Sequence, residues 1–495
     1  VKDTSATRAS LGYNMLLNQD FYGARDTIAR ADLSLQNVDL AVGRLVGTAA
    51  QASAVIDAYI GKNGSLTPQS GLVSGYDFFY DTATQVANQF DNGMAGARTD
   101  RSLLWSGGPR DTTGTGVKWT TDDLKQKLFA PGGHDLVFLG AHATEDSALA
   151  ANYDYNALFH AASVQSDGNF VGTVLMSIGC HLGLDVPATD KLTTGGDWVE
   201  NLQGRGATVI AATSYQLGDT DFIAYHEKLY LNLAQELNTG SGPVPIGKAL
   251  AQAKTAYRAG LATPSGLDEK VLLSTALYGL PMYAVNMPRR TSAPAAASIV
   301  PSVTPLSGQV AFADVTRALN SGPDALTLTT VNVPDPVNSG NALAATYLAG
   351  PDGVVSRAAE PVQPLVRKNV SVPNYVARGV GFRGGQYTDI PSITPLTGAT
   401  ALEQSAYHPQ FFSAVMYPRS LWSLNFFDAL APNNGPTWLN LTPSQYQSQS
   451  LSSASGTLRQ YTNMALRLFY VPNTSTDIPV GAPAIANVYT TASGS

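Results

Sequence analysis

The stretch GTVLMSIGCHLG, Gly172–Gly183, runs an apolar segment out into glycine and then into Cys180, the single cysteine of 495 residues. TVLMSI (173–178) is apolar almost throughout and is bounded by polar or glycine residues, which reads as a strand covered on both faces. The same reading applies to VDLAVG (38–43), GLVSGYD (71–77), DLVFLG (135–140) and ATVIAAT (207–213). Helical patterns lie between and after them: AAQASAVIDAYIGK (49–62), TDDLKQKLF (121–129), the segment around DWVENLQ (197–203), DFIAYHEKLYLNLAQEL (221–237) and IGKALAQAKTAYRAG (246–260). In the fourth, Ile223, Leu229, Leu233 and Leu237 fall at spacings that give one buried face. Strand alternating with helix from about residue 35 to 288 predicts an α/β domain with a mostly parallel sheet. Functional residues of such a sheet belong at the carboxyl ends of its strands.

Composition excludes several classes. A net charge of −7 argues against nucleic acid or an anionic membrane surface as the main partner, since both call for a basic face. One cysteine rules out an internal disulfide framework and any cysteine-based zinc cluster. The apolar runs are too short to span a bilayer. Charged residues make up only 14% of the chain, and the abundance of Gly, Ser, Thr and Ala leans toward an exported bacterial protein, secreted or held at the cell surface. The chain opens on Val1 with neither an initiator methionine nor a signal peptide, which reads as a processing boundary with targeting information already removed.

After Pro288 the pattern changes. RRTSAPAAAS opens a linker, placed at 289–299, and 300–495 is rich in Pro, Gly, Thr and Val with little helical periodicity. Alternation such as MALRLFYV (464–471) predicts strands with one solvated face, hence a β-rich accessory region of sandwich type. GVGFRGGQYTD (379–389) and PLTGA (395–399) read as turn-rich loops.

Chemistry concentrates at two strand ends. DLVFLGAHATED delivers His142 just past one strand, and TVLMSIGCHLG delivers Cys180 just past another. A cysteine nucleophile needs its thiolate, and an imidazole supplies it by taking the proton and returning it to the leaving amine. Gly179, Ala141 and Ala143 are small enough for a substrate backbone to come close, and backbone N–H groups there suit an oxyanion. Taken singly, a lone buried cysteine and a lone histidine are ordinary structural residues. Their joint position after successive apolar strands favours catalysis.

The order of these segments resembles the gingipain-like cysteine peptidases of the caspase-like fold. LAVGRLVGTAAQASAVIDAYI (40–60), GLVSGYDFFYD (71–81), the histidine and cysteine strands, and STALYGLPMYAV (274–285) follow that family's order across 35–288. The resemblance implies a caspase-hemoglobinase-like α/β/α sandwich, His142 as general base, Cys180 as nucleophile, and the N–H groups of Ala143 and Cys180 as oxyanion donors. It implies a secreted endopeptidase acting on proteins or peptides through a thioester acyl-enzyme. The alternative reading is a catalytically degenerate domain kept as a scaffold or adhesion protein. The family surrounds its histidine with glycines, whereas Ala141 and Ala143 flank it here and narrow the approach. Its catalytic units also carry a further α/β subdomain ahead of this region, so residues 1–34 read as a remnant of one whose other part is either a cleaved N-terminal partner chain or not included in this sequence.

Specificity in that family comes from a pocket carboxylate that receives Arg or Lys, and Asp77 is its best positional match. Asp77 is equally suited to capping the following helix or bonding its own turn, and an acid that orients His142 is a third role. Asp81 is read as an N-cap of TATQVANQF, Asp221 as a cap of the long helix, and Glu145 and Asp146 as solvated loop acids. Tyr215 and Gln216, in AATSYQLGDTDF (211–222), are placed as a pocket wall that touches substrate. His181 is set aside as base, because neighbours on an extended strand point to opposite faces. The chemistry requires no cofactor. Calcium is admissible as a structural ion, although the sequence has no EF-hand loop.

Overall fold

The computed structural model describes residues 17–30, 33–38, 40–96, 98–109, 111–185, 195–261, 264–290, 297–307, 310–335, 341–399, 408–425 and 436–472. The chain divides into two compact units, Val1–Tyr257 with Ser265–Ala293, and Arg258–Pro264 with Pro294–Ser495.

The first unit is built on a six-stranded sheet. Its strands are β1 (Gly71–Gly75), β2 (Thr99–Leu104), β3 (Leu136–Leu139), β4 (Val174–Ser177), β5 (Thr208–Ala212) and β6 (Thr275–Tyr278), arranged in the order β6-β5-β4-β3-β1-β2. All neighbours are parallel except β6, which runs antiparallel to β5. The continuous apolar runs are buried on both faces, as their composition requires. Leu72, Val137, Leu139, Leu175, Val209 and Ala211 join one core with Leu124 and Leu128 of α3 (Thr121–Leu128) and Trp198, Val199 and Leu202 of α4 (Trp198–Gln203). The alternate residues Val73, Phe138, Met176 and Ile210 are fully buried as well. On their side lies α5 (Tyr225–Glu236), whose Tyr230 ring meets Phe138 at 6.1 Å. The remaining helices of the unit are α1 (Ala49–Gly61), α2 (Phe79–Gly93), α6 (Ile246–Ala259) and α7 (Gly266–Ser274). Helix starts are written in the sequence where a capping box exists: Thr48 with Gln51, Thr120 with Asp123, and Ser265 with Asp268.

The α/β architecture is the expected one, with differences at its margins. Of the strand read at 38–43, residue 39 lies outside the described residues and residues 40–43 form no strand. Residues Ala24–Arg30 and Leu33–Val38 pair as a separate ribbon, and only Arg44 reaches the sheet, through a single bridge to Tyr278. There the Arg44 N–H donates to Leu277 O at 2.9 Å and the Gly279 N–H donates to Arg44 O at 2.8 Å. Strand β2 and helix α7 escaped the sequence reading; β2 is a half-exposed edge of polar composition, TDRSLL, without the apolar run that marks the others. Of residues 1–34, residues 1–16 lie outside the described residues. Residues 17–23 are fastened within the first unit: Lys254 Nζ lies 2.7 Å from both Asp20 carboxylate oxygens and from the Thr275 carbonyl, and the Thr213 hydroxyl donates to Leu17 O at 2.9 Å.

The second unit holds a five-stranded antiparallel sheet in which β7 (Thr304–Ser307), β8 (Val310–Ala318), β11 (Ser453–Pro472) and β9 (Tyr375–Ile393) follow in that order, while β10 (Ser444–Ser450) also pairs with β11. Met464, Leu466, Leu468 and Tyr470 of the alternating β11 segment are fully buried, as that alternation predicts. They share a core with Val366, Trp422, Leu439 and Leu441 of a three-stranded sheet, so the accessory region is a β-sandwich. GVGFRGGQYTD proves not to be a loop: it lies inside β9, paired with β11 through several register shifts.

Candidate active site

Register brings the candidate residues into one row. Ser74 of β1 pairs with Leu139 of β3, Leu139 with Ser177 of β4, and Ser177 with Ala211 of β5. Asp77, His142, Cys180 and Ser214 each lie three residues beyond those partners. Adjacent strands are about 4.8 Å apart, and Asp77, His142 and Cys180 follow neighbouring strands at the same carboxyl end of the sheet. The histidine and cysteine loops also touch: a Cβ placed on Gly179 would come within 2.8 Å of Ala143 Cβ and 3.1 Å of the Ala141 carbonyl. Glycine at 179 is what permits this approach. The two alanines therefore lie against the loop that carries Cys180.

His142 is held by aromatic side chains. Its backbone N–H donates to the Tyr76 hydroxyl at 3.0 Å, and that hydroxyl donates onward to Leu149 O at 2.6 Å. The imidazole meets the rings of Phe79 at 5.2 Å, Tyr76 at 5.6 Å and Phe78 at 5.9 Å. His142 Nε2 is 3.4 Å from Asp77 Oδ2. The same oxygen accepts the Tyr153 hydroxyl at 3.2 Å. Asp77 sits in the left-handed region (φ +55°), which aspartate tolerates, and its N–H donates to Gly107 O at 3.0 Å. Burial pushes the hydroxyls of Tyr76 and Tyr153 far above the usual phenol range, the latter helped by the charge of Asp77. Both therefore stay protonated as donors. Of the three roles open to Asp77, the geometry is that of an acid turned toward His142. Tyr76 and Tyr153 have no signal in the sequence, because their contacts join positions 66 and 76 residues apart.

Cys180 is buried, 6% exposed, within a turn rather than at the end of an extended strand. The Gln216 N–H points at its sulfur at 3.4 Å. Gln216 Nε2 donates to the carbonyls of Ser177 (2.9 Å) and Gly179 (2.8 Å), so this side chain braces the cysteine loop. Tyr215 is half-buried. The alternation argument for His181 does not hold, because the residue adopts φ +57°. Its ring nevertheless turns toward Tyr215, at 4.5 Å between centroids.

The other acids differ from their sequence reading. Helix α2 begins at Phe79, so Asp81 is in its first turn and not its cap. Helix α5 begins at Tyr225, where Glu227, not Asp221, accepts the orphan N–H of Ala224 (3.2 Å) together with that of Asp219 (2.9 Å). Glu145 is buried, not solvated. Asp81 and Glu227 form a carboxyl pair: burial drives Asp81 from 3.8 up to about 6, and burial reinforced by the charge of Asp81 raises Glu227 well above its usual range. Such a pair stabilises the fold fully below the ordinary carboxylate range and loses that contribution as pH rises through about 6. Asp81→Asn is therefore expected to lose less stability than wild type between pH 4 and pH 7, by on the order of 2 kcal/mol. Urea midpoints of both proteins at the two pH values check it.

Carboxylate oxygens of Asp185, Asp197 and Glu200 all lie within 4.8 Å of one another. Oxygen donors of this kind suit a hard cation such as calcium. Asp197 Oδ1 also accepts the Glu200 N–H at 2.9 Å as the cap of α4. Among the described residues no helix is long and apolar enough to cross a membrane.

No protein-family model and no curated protein sequence matches the chain. Similar solved structures include a complex of the pro- and mature domains of RgpB from Porphyromonas gingivalis, at 15% identity and a TM-score of 0.40, covering 68% of this chain and 72% of that one. A structure of gingipain K from Porphyromonas gingivalis, solved to explain its zymogenic latency, is similar at 12% identity and a TM-score of 0.24, with 36% and 95% covered. A third structure, described as a protease, is similar at 11% identity and a TM-score of 0.34, with 68% and 71% covered.

Proposed function

We propose that the chain is a cysteine endopeptidase in which Cys180 is the nucleophile and His142 the general base. The observation that carries this reading is the shared row of Asp77, His142 and Cys180 at the carboxyl end of a parallel sheet, with His142 Nε2 3.4 Å from the Asp77 carboxylate. In the first half-reaction His142 takes the thiol proton and the sulfur attacks the scissile carbonyl. The carbonyl oxygen gains charge, for which the backbone N–H groups of Ala143 and Cys180 are the proposed donors. Collapse expels the amine, which leaves with the proton held on His142, and a thioester remains on Cys180. Water then attacks with His142 as base, releasing the acid and restoring the thiol.

Asp77 orients the imidazole and stabilises it when protonated, with Tyr153 fixing the carboxylate. Gln216 is a positioning residue for the cysteine loop. No cofactor enters these steps. Action outside the cell fits a chain poor in charge and with one thiol, and its substrates are proteins or peptides, with its own N-terminal part a further partner.

The test is hydrolysis of an unfolded protein substrate by the reduced chain, with and without stoichiometric alkylation of Cys180. Cleavage is expected to stop once Cys180 is alkylated. Cleavage that continues after full alkylation removes the cysteine from the mechanism.

A further inference from the structure

The acid available to a basic substrate residue is already committed. Asp77 Oδ2 faces His142 Nε2 at 3.4 Å and accepts the Tyr153 hydroxyl at 3.2 Å. A guanidinium or ammonium bound to it would compete with the contact that orients the base. On the opposite side of the thiol the chain supplies charge of the other sign. The loop after β5 brings the Gln216 N–H to Cys180 Sγ at 3.4 Å, and the preceding residue, Tyr215, lays its ring edge-on to His181 at 4.5 Å. Over that Tyr215 ring, 5.4 Å from its centroid, stands the ammonium of Lys270 from α7. Lys270 is half-buried, and burial lowers its pKa while the charge of Cys180 pulls it back up. A cation in such partly desolvated surroundings interacts with an opposing charge more strongly than it would in water.

We infer that Lys270 sets the substrate preference of the site: the residue that contributes the scissile carbonyl carries a carboxylate, Asp or Glu, which pairs with the Lys270 ammonium while the Tyr215 ring lines the space between. The inference rests on the cysteine-peptidase reading of Cys180. An ammonium is a point charge on a flexible stem, so it accepts carboxylates of either length, whereas a basic side chain in the same place meets like charge. This preference is opposite in sign to the one implied by placing Asp77 at the base of a pocket.

The test uses the full reduced chain and peptidyl acyloxymethyl ketones that differ only in the residue next to the reactive carbon: Asp, Glu, Arg, Lys or Leu. Labelling of Cys180 is followed by intact mass, and iodoacetamide alkylation with circular dichroism reports thiol and fold for each variant. The Asp and Glu probes are expected to react about tenfold or more faster than the Arg and Lys probes. Lys270→Met, which keeps the aliphatic stem, is expected to erase the difference, and Lys270→Glu to reverse it. Faster reaction of the Arg or Lys probes in wild type, or a preference unchanged in both variants, overturns the inference and leaves the peptidase reading standing. If iodoacetamide alkylates Cys180 but every peptidyl probe fails, the peptidase reading falls and the preference with it.

Discussion

His142→Ala is expected to lower kcat/KM for peptide cleavage by about 10³-fold while leaving Cys180 open to alkylation. The imidazole acts twice in the proposed cycle, first removing the thiol proton and then delivering it to the departing amine. Nothing else placed in the row of strand ends does both. Asp77 is a carboxylate turned to the histidine, and His181 turns its ring to Tyr215. The cysteine loop does not depend on the imidazole for its shape: Gly179 and Ser177 are braced by Gln216, and the Gln216 N–H reaches the sulfur. Iodoacetamide should therefore still modify Cys180 in the variant at a pH where free thiols ionise. Steady-state kinetics beside alkylation rates separate the two effects. Activity within tenfold of wild type would mean that His142 is a structural residue among aromatic rings.

Asp77→Asn is expected to lower kcat by about 10- to 100-fold with KM little changed. The carboxylate faces an imidazole that becomes cationic only during the reaction, so its charge acts in the transition state and not on substrate binding. An amide keeps the shape and an acceptor oxygen but loses the charge. The split between kcat and KM is decisive, because an acid that recognised a basic substrate residue would instead raise KM for Arg or Lys substrates and spare the rest. Tyr153→Phe should follow the same pattern more weakly, since it frees the Asp77 oxygen from one of its two contacts.

What the sequence made legible was governed by local patterns. The buried strands announce themselves as apolar runs, and His142 and Cys180 each lie three residues past the last paired residue of theirs, which is why both are legible as candidates from the sequence. β2 was missed because an edge strand with polar residues carries no such run, and of the strand read at 38–43 the described residues 40–43 form none, only Arg44 beyond them bridging to the sheet. The acids were the least legible. Asp77, Asp81 and Asp221 each had a plausible local cap, and only the folded chain reveals that Asp77 turns to His142, that Asp81 pairs with Glu227, and that Glu227 takes over the start of α5. Gln216, placed by the sequence as a pocket wall, turns its side-chain amide to the cysteine loop, donating to carbonyls 37 and 39 residues away in sequence. Tyr76 and Tyr153 meet His142 and Asp77, and Lys270 meets Tyr215, through tertiary packing, for which no periodicity or motif gives notice.

The nucleophilic role of Cys180 is tested most directly by trapping the acyl-enzyme. The reduced chain is mixed with a slowly hydrolysed activated peptide ester, quenched in acid, and read by intact mass and peptide mapping. A single acyl group on Cys180, labile to hydroxylamine and absent from Cys180→Ala, is the expected result. Turnover of the ester with no acyl group on Cys180, or equal turnover by Cys180→Ala, would contradict it.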